Sequence, residues 1–227
     1  MSQVTVFYGL YGSGKSEVAI NYALHLAREG RAVTIVDLDA VTPYFRVRDV
    51  RDLLMAEGVN VVAPKESVRH ADLPVLPEGI RRVLMQGEGD IVVDVGGDPT
   101  GARVLGGLKD ALRPEARGLF VVNANRPFSR TLDEAQEAVA RVTSSAGLPP
   151  GGLVSNTHMG ELTTVGHIAE GLRFAEALGH RLGLPVVMAG VPSWLESQEE
   201  ELAEALHGIP PLYLERYLLK PWEITEK

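Results

Sequence analysis

The chain contains no cysteine. That excludes disulfides, thiolate zinc sites, cysteine-ligated iron–sulfur clusters and cysteine nucleophiles. Long apolar runs are also missing: no uninterrupted stretch approaches the roughly 18–20 residues that a membrane helix needs. Residues 1–5 carry neither the basic segment nor the apolar stretch of a secretory leader. Positive charge is in short supply, with a formal net charge of −8. This argues against broad nonspecific binding to nucleic acid, although Arg46, Arg48 and Arg51 leave a local basic patch open. The six histidines show no metal-ligand spacing on one helix face. Together these absences predict a soluble, cytoplasmic protein without integral membrane association.

What is present is an alternation of short β-branched runs with longer amphipathic stretches over 227 residues, 45% of them hydrophobic. That pattern predicts one α/β domain over 1–227, a mostly parallel sheet of about seven strands with helices on both faces. Strands are expected at 4–8, 32–36, 59–62, 91–93, 118–122, 153–155 and 185–189. Helices are expected at 15–28, 46–57, 80–86, 131–145, 163–182, 194–207 and, as a last short element, 212–219. Proline interrupts the segment 64–77, which reads as a loop. In an open parallel sheet ligands bind beyond the carboxyl ends of the strands. Asp37, Asp94, Asn123, Asn156 and Pro192 fall at such ends.

The most specific feature is Gly9-Leu10-Tyr11-Gly12-Ser13-Gly14-Lys15-Ser16. It matches the phosphate-binding loop pattern in full, between an expected strand and an expected helix. Its glycines allow successive backbone N–H groups to face one anionic centre, and the helix N-terminus adds a positive dipole end. Gly9, Gly12, Ser13, Gly14, Lys15 and Ser16 are therefore expected to hold nucleotide phosphates. Lys15 would reach the terminal phosphates and Ser16 would offer its hydroxyl to Mg²⁺. Asp94 ends an apolar strand as a Mg²⁺-coordinating aspartate does. No glutamate follows it; Asp94-Val95-Gly96-Gly97 instead offers the Gly97 N–H to a γ-phosphate, unless the pair of glycines is a simple tight turn. Asp37-Leu38-Asp39 ends the second strand. Asp39 is the candidate for orienting a water and Asp37 for the Mg²⁺ shell; either residue also suits a turn cap.

The phosphate loop, Asp37-x-Asp39 and Asp94-x-Gly-Gly97, in this order, resemble the MinD/ParA and CobQ/CobB nucleotide-binding superfamily. The resemblance implies Mg-ATP as ligand, nucleotide-dependent homodimerisation, and adenine contacts by Asn156 and the Gly190-Val191-Pro192 segment. An asparagine amide can pair with both N6 and N7 of adenine, and the Asn-Lys-x-Asp guanine pattern is missing. The chain departs from the group at one position. Members with the deviant loop carry a lysine after the first glycine, which reaches the partner's nucleotide, and here that residue is Leu10. In a sandwich dimer either Arg46 or another arginine would substitute, or hydrolysis would be slow.

Downstream, 42–49 places aromatics and the arginines Arg46 and Arg48 after Asp39. The arginines suit an anionic acceptor or a solvated helix start. Arg126, in the loop 123–127, is another cation beside the expected cleft. The leading expectation is an ATPase switch acting on a protein partner. The alternative is an ATP-dependent kinase or ligase with an anionic small-molecule acceptor, as in the dethiobiotin synthetase and cobyrinate amidation relatives.

Overall fold

A computed structural model of the chain describes residues 3–39, 46–64, 76 and 79–219. The strands are β1 (Val4–Gly9), β2 (Val33–Leu38), β3 (Val59–Val62), β4 (Asp90–Val95), β5 (Arg117–Val122), β6 (Pro150–Ser155), β7 (Val186–Pro192) and β8 (Pro211–Leu214). They form one eight-stranded sheet in the order β3-β2-β4-β1-β5-β6-β7-β8, and every neighbouring pair is parallel. The central strands β1 and β4 are buried along their whole length. Strands covered on both faces read as near-continuous apolar runs, as these do.

The helices are α1 (Lys15–Arg28), α2 (Arg51–Ala56), α3 (Ile80–Gln86), α4 (Pro99–Gly106), α5 (Leu132–Ala146), α6 (Val165–Leu182) and α7 (Glu199–Leu206). Local signals start and stop them. Thr131 caps α5 in a reciprocal box with Glu134, and left-handed Gly147 and Gly183 end α5 and α6. One core cluster joins the sheet to α3, α4, α5 and α6 through Leu84, Leu105, Val142 and Leu178. The other joins it to α1 and α2 through Ile20, Leu24 and Leu54. The sheet is thus flanked by helices on both faces, the P-loop NTPase arrangement.

Three expectations change. The segment 212–219 is not a helix: 211–214 forms β8, pairing with β7. The free edge of β7 supplies the backbone partners that hold 211–214 extended. Leu212 and Leu218 pack into the α1 core, so the segment is a strap over α1, held where Asn21 Nδ2 donates to Glu215 O and Asn21 Oδ1 accepts from Glu215 N, both at 2.9 Å. Second, a helix, α4, follows the Gly96-Gly97 turn; Pro99 and Gly101 obscure it in the sequence, yet proline is favoured at the first helical turn and Asp98 caps it. Third, 46–57 divides into a short 3-10 segment, Val47–Val50, and α2, and 194–207 likewise into a 3-10 segment, Ser193–Leu195, and α7. The aromatics of 42–45 and most of the loop 64–77 lie outside the described residues.

Candidate functional site

Gly9 ends β1 and pairs with Val121 of β5, so the phosphate loop leaves the middle of the sheet and turns directly into α1. Gly14 is the N-cap of α1 in the left-handed region (φ 81) and makes no side-chain cap. The first-turn N–H groups of α1 thus remain uncapped by any side chain and available to an anion. Alanine at Gly14 would be strained, and its Cβ would stand 2.3 Å from Asn156 Nδ2. Beside the loop, Leu10, Ser13, Asn123, Arg126 and Ser129 line a narrow cavity. Ser13 Oγ and Asn123 Nδ2 are buried without hydrogen-bond partners.

Lys15 and Ser16 are both buried. Lys15 Nζ lies 3.8 Å from Asp39 Oδ2, an aspartate 1% exposed. Asp94 is in register with Asp37 across β4 and β2 and with Phe7 across β4 and β1. It is wholly buried, and neither carboxylate oxygen has a hydrogen-bond partner. Burial pushes its pKa up to about 7; Lys15 opposes that, Asp39 and Asp37 reinforce it, and the nearby Ser16 hydroxyl opposes it without hydrogen-bond geometry. The structure therefore brings Lys15, Ser16, Asp39 and Asp94 together at the carboxyl end of β1, β2 and β4. Gly97 is packed under the loop: a Cβ there would lie 2.8 Å from Tyr11 N and 3.2 Å from Leu10 C. Only glycine allows that approach.

Asp37, expected in a Mg²⁺ shell, is committed elsewhere. Arg48 Nε donates to Oδ2 at 2.7 Å and Arg48 Nη2 to Oδ1 at 3.0 Å. The backbone N–H groups of Arg48 and Asp39 donate to the same carboxylate at 3.1 and 3.0 Å. A buried bidentate pair of this kind fixes the chain around Asp39. It also removes Arg48 from the set of acceptor-binding cations, while Arg46 pairs with Asp49 at 3.2 Å.

Asn156 is likewise redirected. It is 3% exposed, and its Nδ2 donates to Ser13 O at 2.7 Å. In this arrangement the amide braces the phosphate loop and is not presented to a base. Gly190 packs on its other side, where a Cβ would lie 2.4 Å from Asn156 Oδ1. Pro192 is no loop residue: it is the buried last residue of β7, paired with Leu214 of β8, and the loop begins at Ser193.

Two further residues border the loop: Arg126, expected only as a cation near the cleft, and His158. Arg126 Nε donates to Gly12 O at 2.9 Å. His158 Nε2 lies 3.6 Å from the position of a Gly14 Cβ, and its Nδ1 accepts from Gly160 N at 3.3 Å, which leaves the proton of the neutral ring on Nε2. The sequence shows only that both lie in strand-end loops; their convergence on residues 12–14 comes from the adjacency of β1, β5 and β6.

Burial and the nearby Arg126 charge push the His158 pKa down to about 4, against 6.5 for the free side chain. A depressed histidine contributes stability that is present above pH 6.5 and lost as pH falls through 4. Over that window the wild type is expected to lose roughly 2 kcal/mol more than a His158→Gln variant. Denaturant unfolding of both proteins at pH 7 and pH 4.5 measures it; equal losses would mean that His158 is not held neutral.

Among the described residues no helix is long and apolar enough to cross a membrane, and no group of three or more His, Cys, Asp or Glu is arranged to hold a metal. No protein-family model matches the chain, and no curated protein sequence does. Solved structures do share its fold. FtsY from Mycoplasma mycoides superposes with a TM-score of 0.58 at 16% identity, over 92% of this chain and 68% of that one. Chloroplast FtsY from Physcomitrella patens gives 0.59 at 15%, over 91% and 66%. The signal recognition particle 54 kDa protein from Aeropyrum pernix K1, solved in complex with GDP, gives 0.57 at 19%, over 92% and 49%. The chain thus spans between about half and two thirds of the length of these structures, and at such identities the likeness establishes an α/β fold of the P-loop NTPase kind.

Proposed function

We propose that the chain is a Mg-ATP-dependent P-loop NTPase of the MinD/ParA-like class, one nucleotide-binding unit in the cytoplasm that works as a switch on a protein partner. The observation that carries this reading is Asp94. A wholly buried carboxylate with two unpartnered oxygens is costly unless a cation completes it. It stands beside Ser16 and Lys15, under a loop with uncapped N–H groups. Magnesium needs few protein ligands, because it keeps waters and takes phosphate oxygens as its other partners. Asp94 and Ser16 would hold it, and bound there it would neutralise charge on the β- and γ-phosphates. No second protein carboxylate is needed, which suits the engagement of Asp37 by Arg48.

Lys15 and Asp39 supply the rest. A γ-phosphate draws Lys15 toward itself and relieves its 3.8 Å contact with Asp39. The Asp39 carboxylate then accepts a proton from, and orients, a water for in-line attack. Coupling to a partner follows from Gly97. Its backbone touches Leu10 and Tyr11, and the cap of α4 follows at Asp98, so a shift of the loop reaches α4 directly. Tyr11, Phe128, Met159, Leu162 and Trp194, all exposed large apolar side chains, belong to loops at the carboxyl edge of the sheet. They would give a protein partner, or a second copy of the chain, an apolar rim around the nucleotide.

The base assignment now rests on what the site lacks. The strand-end segment 156–160 contains no carboxylate to pair with guanine N1 and N2. Two of the solved neighbours, from Elizabethkingia anophelis and Aeropyrum pernix, are complexes with GDP, so both bases belong in the test. The kinase or ligase reading loses one of its two acceptor cations, because Arg48 is spent on Asp37, and keeps Arg46, whose Nε is buried without a hydrogen-bond partner. Phosphate release from Mg-ATP and Mg-GTP without any added acceptor decides between them. Release from ATP, faster than from GTP, is expected. Turnover that appears only with a small-molecule acceptor would replace this reading with the kinase one.

A further inference from the structure

The loop after β5 lays a cation against the phosphate loop at Gly12. Arg126 Nε is fixed on Gly12 O at 2.9 Å. Its Cδ and Nε pass 3.4 Å, and Cζ 3.8 Å, from the position a Gly12 Cβ would take. The backbone beneath it is a tight turn in which Ser129 N and Oγ both donate to Arg126 O, at 3.3 and 3.2 Å. Among the described residues no carboxylate pairs with this half-buried guanidinium. Arg48, by contrast, is saturated by Asp37. An arginine anchored through Nε keeps its two terminal amino groups for planar, two-point contact with an oxyanion.

The sheet order says which part of a nucleotide that anion is. Asp39 and Asp94 follow or end β2 and β4, on one side of β1, and mark the end of the cleft suited to cation and terminal phosphate. Arg126 follows β5, on the other side of β1, and His158 follows β6 beyond it. Arg126 therefore lies over the half of the loop that faces the nucleoside.

We propose that Arg126 is a nucleotide-binding residue in cis that grips the α,β-diphosphate common to ATP and ADP. This rests on the nucleotide-binding reading above. Arg126→Ala is expected to weaken ATP and ADP by the same factor, about 10- to 100-fold, as for loss of charged hydrogen bonds. Arg126→Lys retains part of the affinity. Arg126→Gln, which can keep a bond to Gly12 O without the charge, behaves like Arg126→Ala. Calorimetric titration of the full chain with Mg-ATP and Mg-ADP, with Lys15→Ala alongside, reads all of these. A loss confined to ATP would place the contact on the γ-phosphate and overturn the assignment. Wild-type affinity in Arg126→Gln would reduce Arg126 to a clasp on the loop and overturn it too. If Lys15→Ala weakens binding while Arg126→Ala leaves it at the wild-type level, the Arg126 assignment fails alone. If the wild type binds neither nucleotide, both readings fall.

Discussion

Lys15→Ala is expected to weaken Mg-nucleotide binding by about 100-fold or more and at the same time to destabilise the free protein. Charged hydrogen bonds to phosphate contribute roughly 1.5–3 kcal/mol each, and the proposed role of Lys15 has it reach two phosphates. The second effect follows from its surroundings. Lys15 is a buried cation beside the buried Asp39, and its charge opposes the raised pKa of Asp94. Without it the buried Asp39 and Asp94 carboxylates lose the charge of their lysine neighbour, a change that costs on the order of 2–4 kcal/mol. Circular dichroism at low temperature confirms that the variant is folded, thermal unfolding reads the stability and calorimetry the affinity. A variant with undiminished affinity would remove the loop from any role in phosphate binding.

Asp94→Asn should move stability and function in opposite directions. Its carboxylate carries a desolvation cost that no hydrogen bond in the described structure offsets. Asparagine keeps the shape and removes the charge, so the free protein should gain roughly 1–3 kcal/mol. The same change removes the proposed anionic ligand for Mg²⁺, and Mg²⁺-dependent phosphate release should fall by about 100-fold or more, by analogy with loss of a single electrostatic contact in a reacting site. A structural aspartate would behave differently: its replacement would lower the melting temperature and leave the Mg²⁺ dependence of binding intact. Thermal unfolding of the free protein and nucleotide titrations at varied Mg²⁺ separate the two cases.

Much of this site is legible in the sequence because the chemistry is local. The phosphate loop needs its glycines, lysine and serine within eight residues, and its strand–helix setting shows in the neighbouring periodicity. Asp94 and Asp39 are legible as polar residues closing apolar strands. What the sequence hides is pairwise commitment across distant segments. Asp37 and Asn156 are as suited to metal and base as to other partners, and only the fold shows that Arg48 and Ser13 O engage them. The same holds for β8: a leucine- and tyrosine-rich segment fits a helix until the open edge of β7 is seen. Arg126 and His158 meet the loop through strand order, which no spacing rule in one chain reveals.

The most direct test of the central claim is titration of the purified chain with Mg-ATP by calorimetry, repeated without Mg²⁺ and with Lys15→Ala. Binding of one nucleotide per chain, tightened by Mg²⁺ and abolished by the substitution, is the expected result. No binding of ATP or GTP, or binding indifferent to both Mg²⁺ and Lys15, would contradict it.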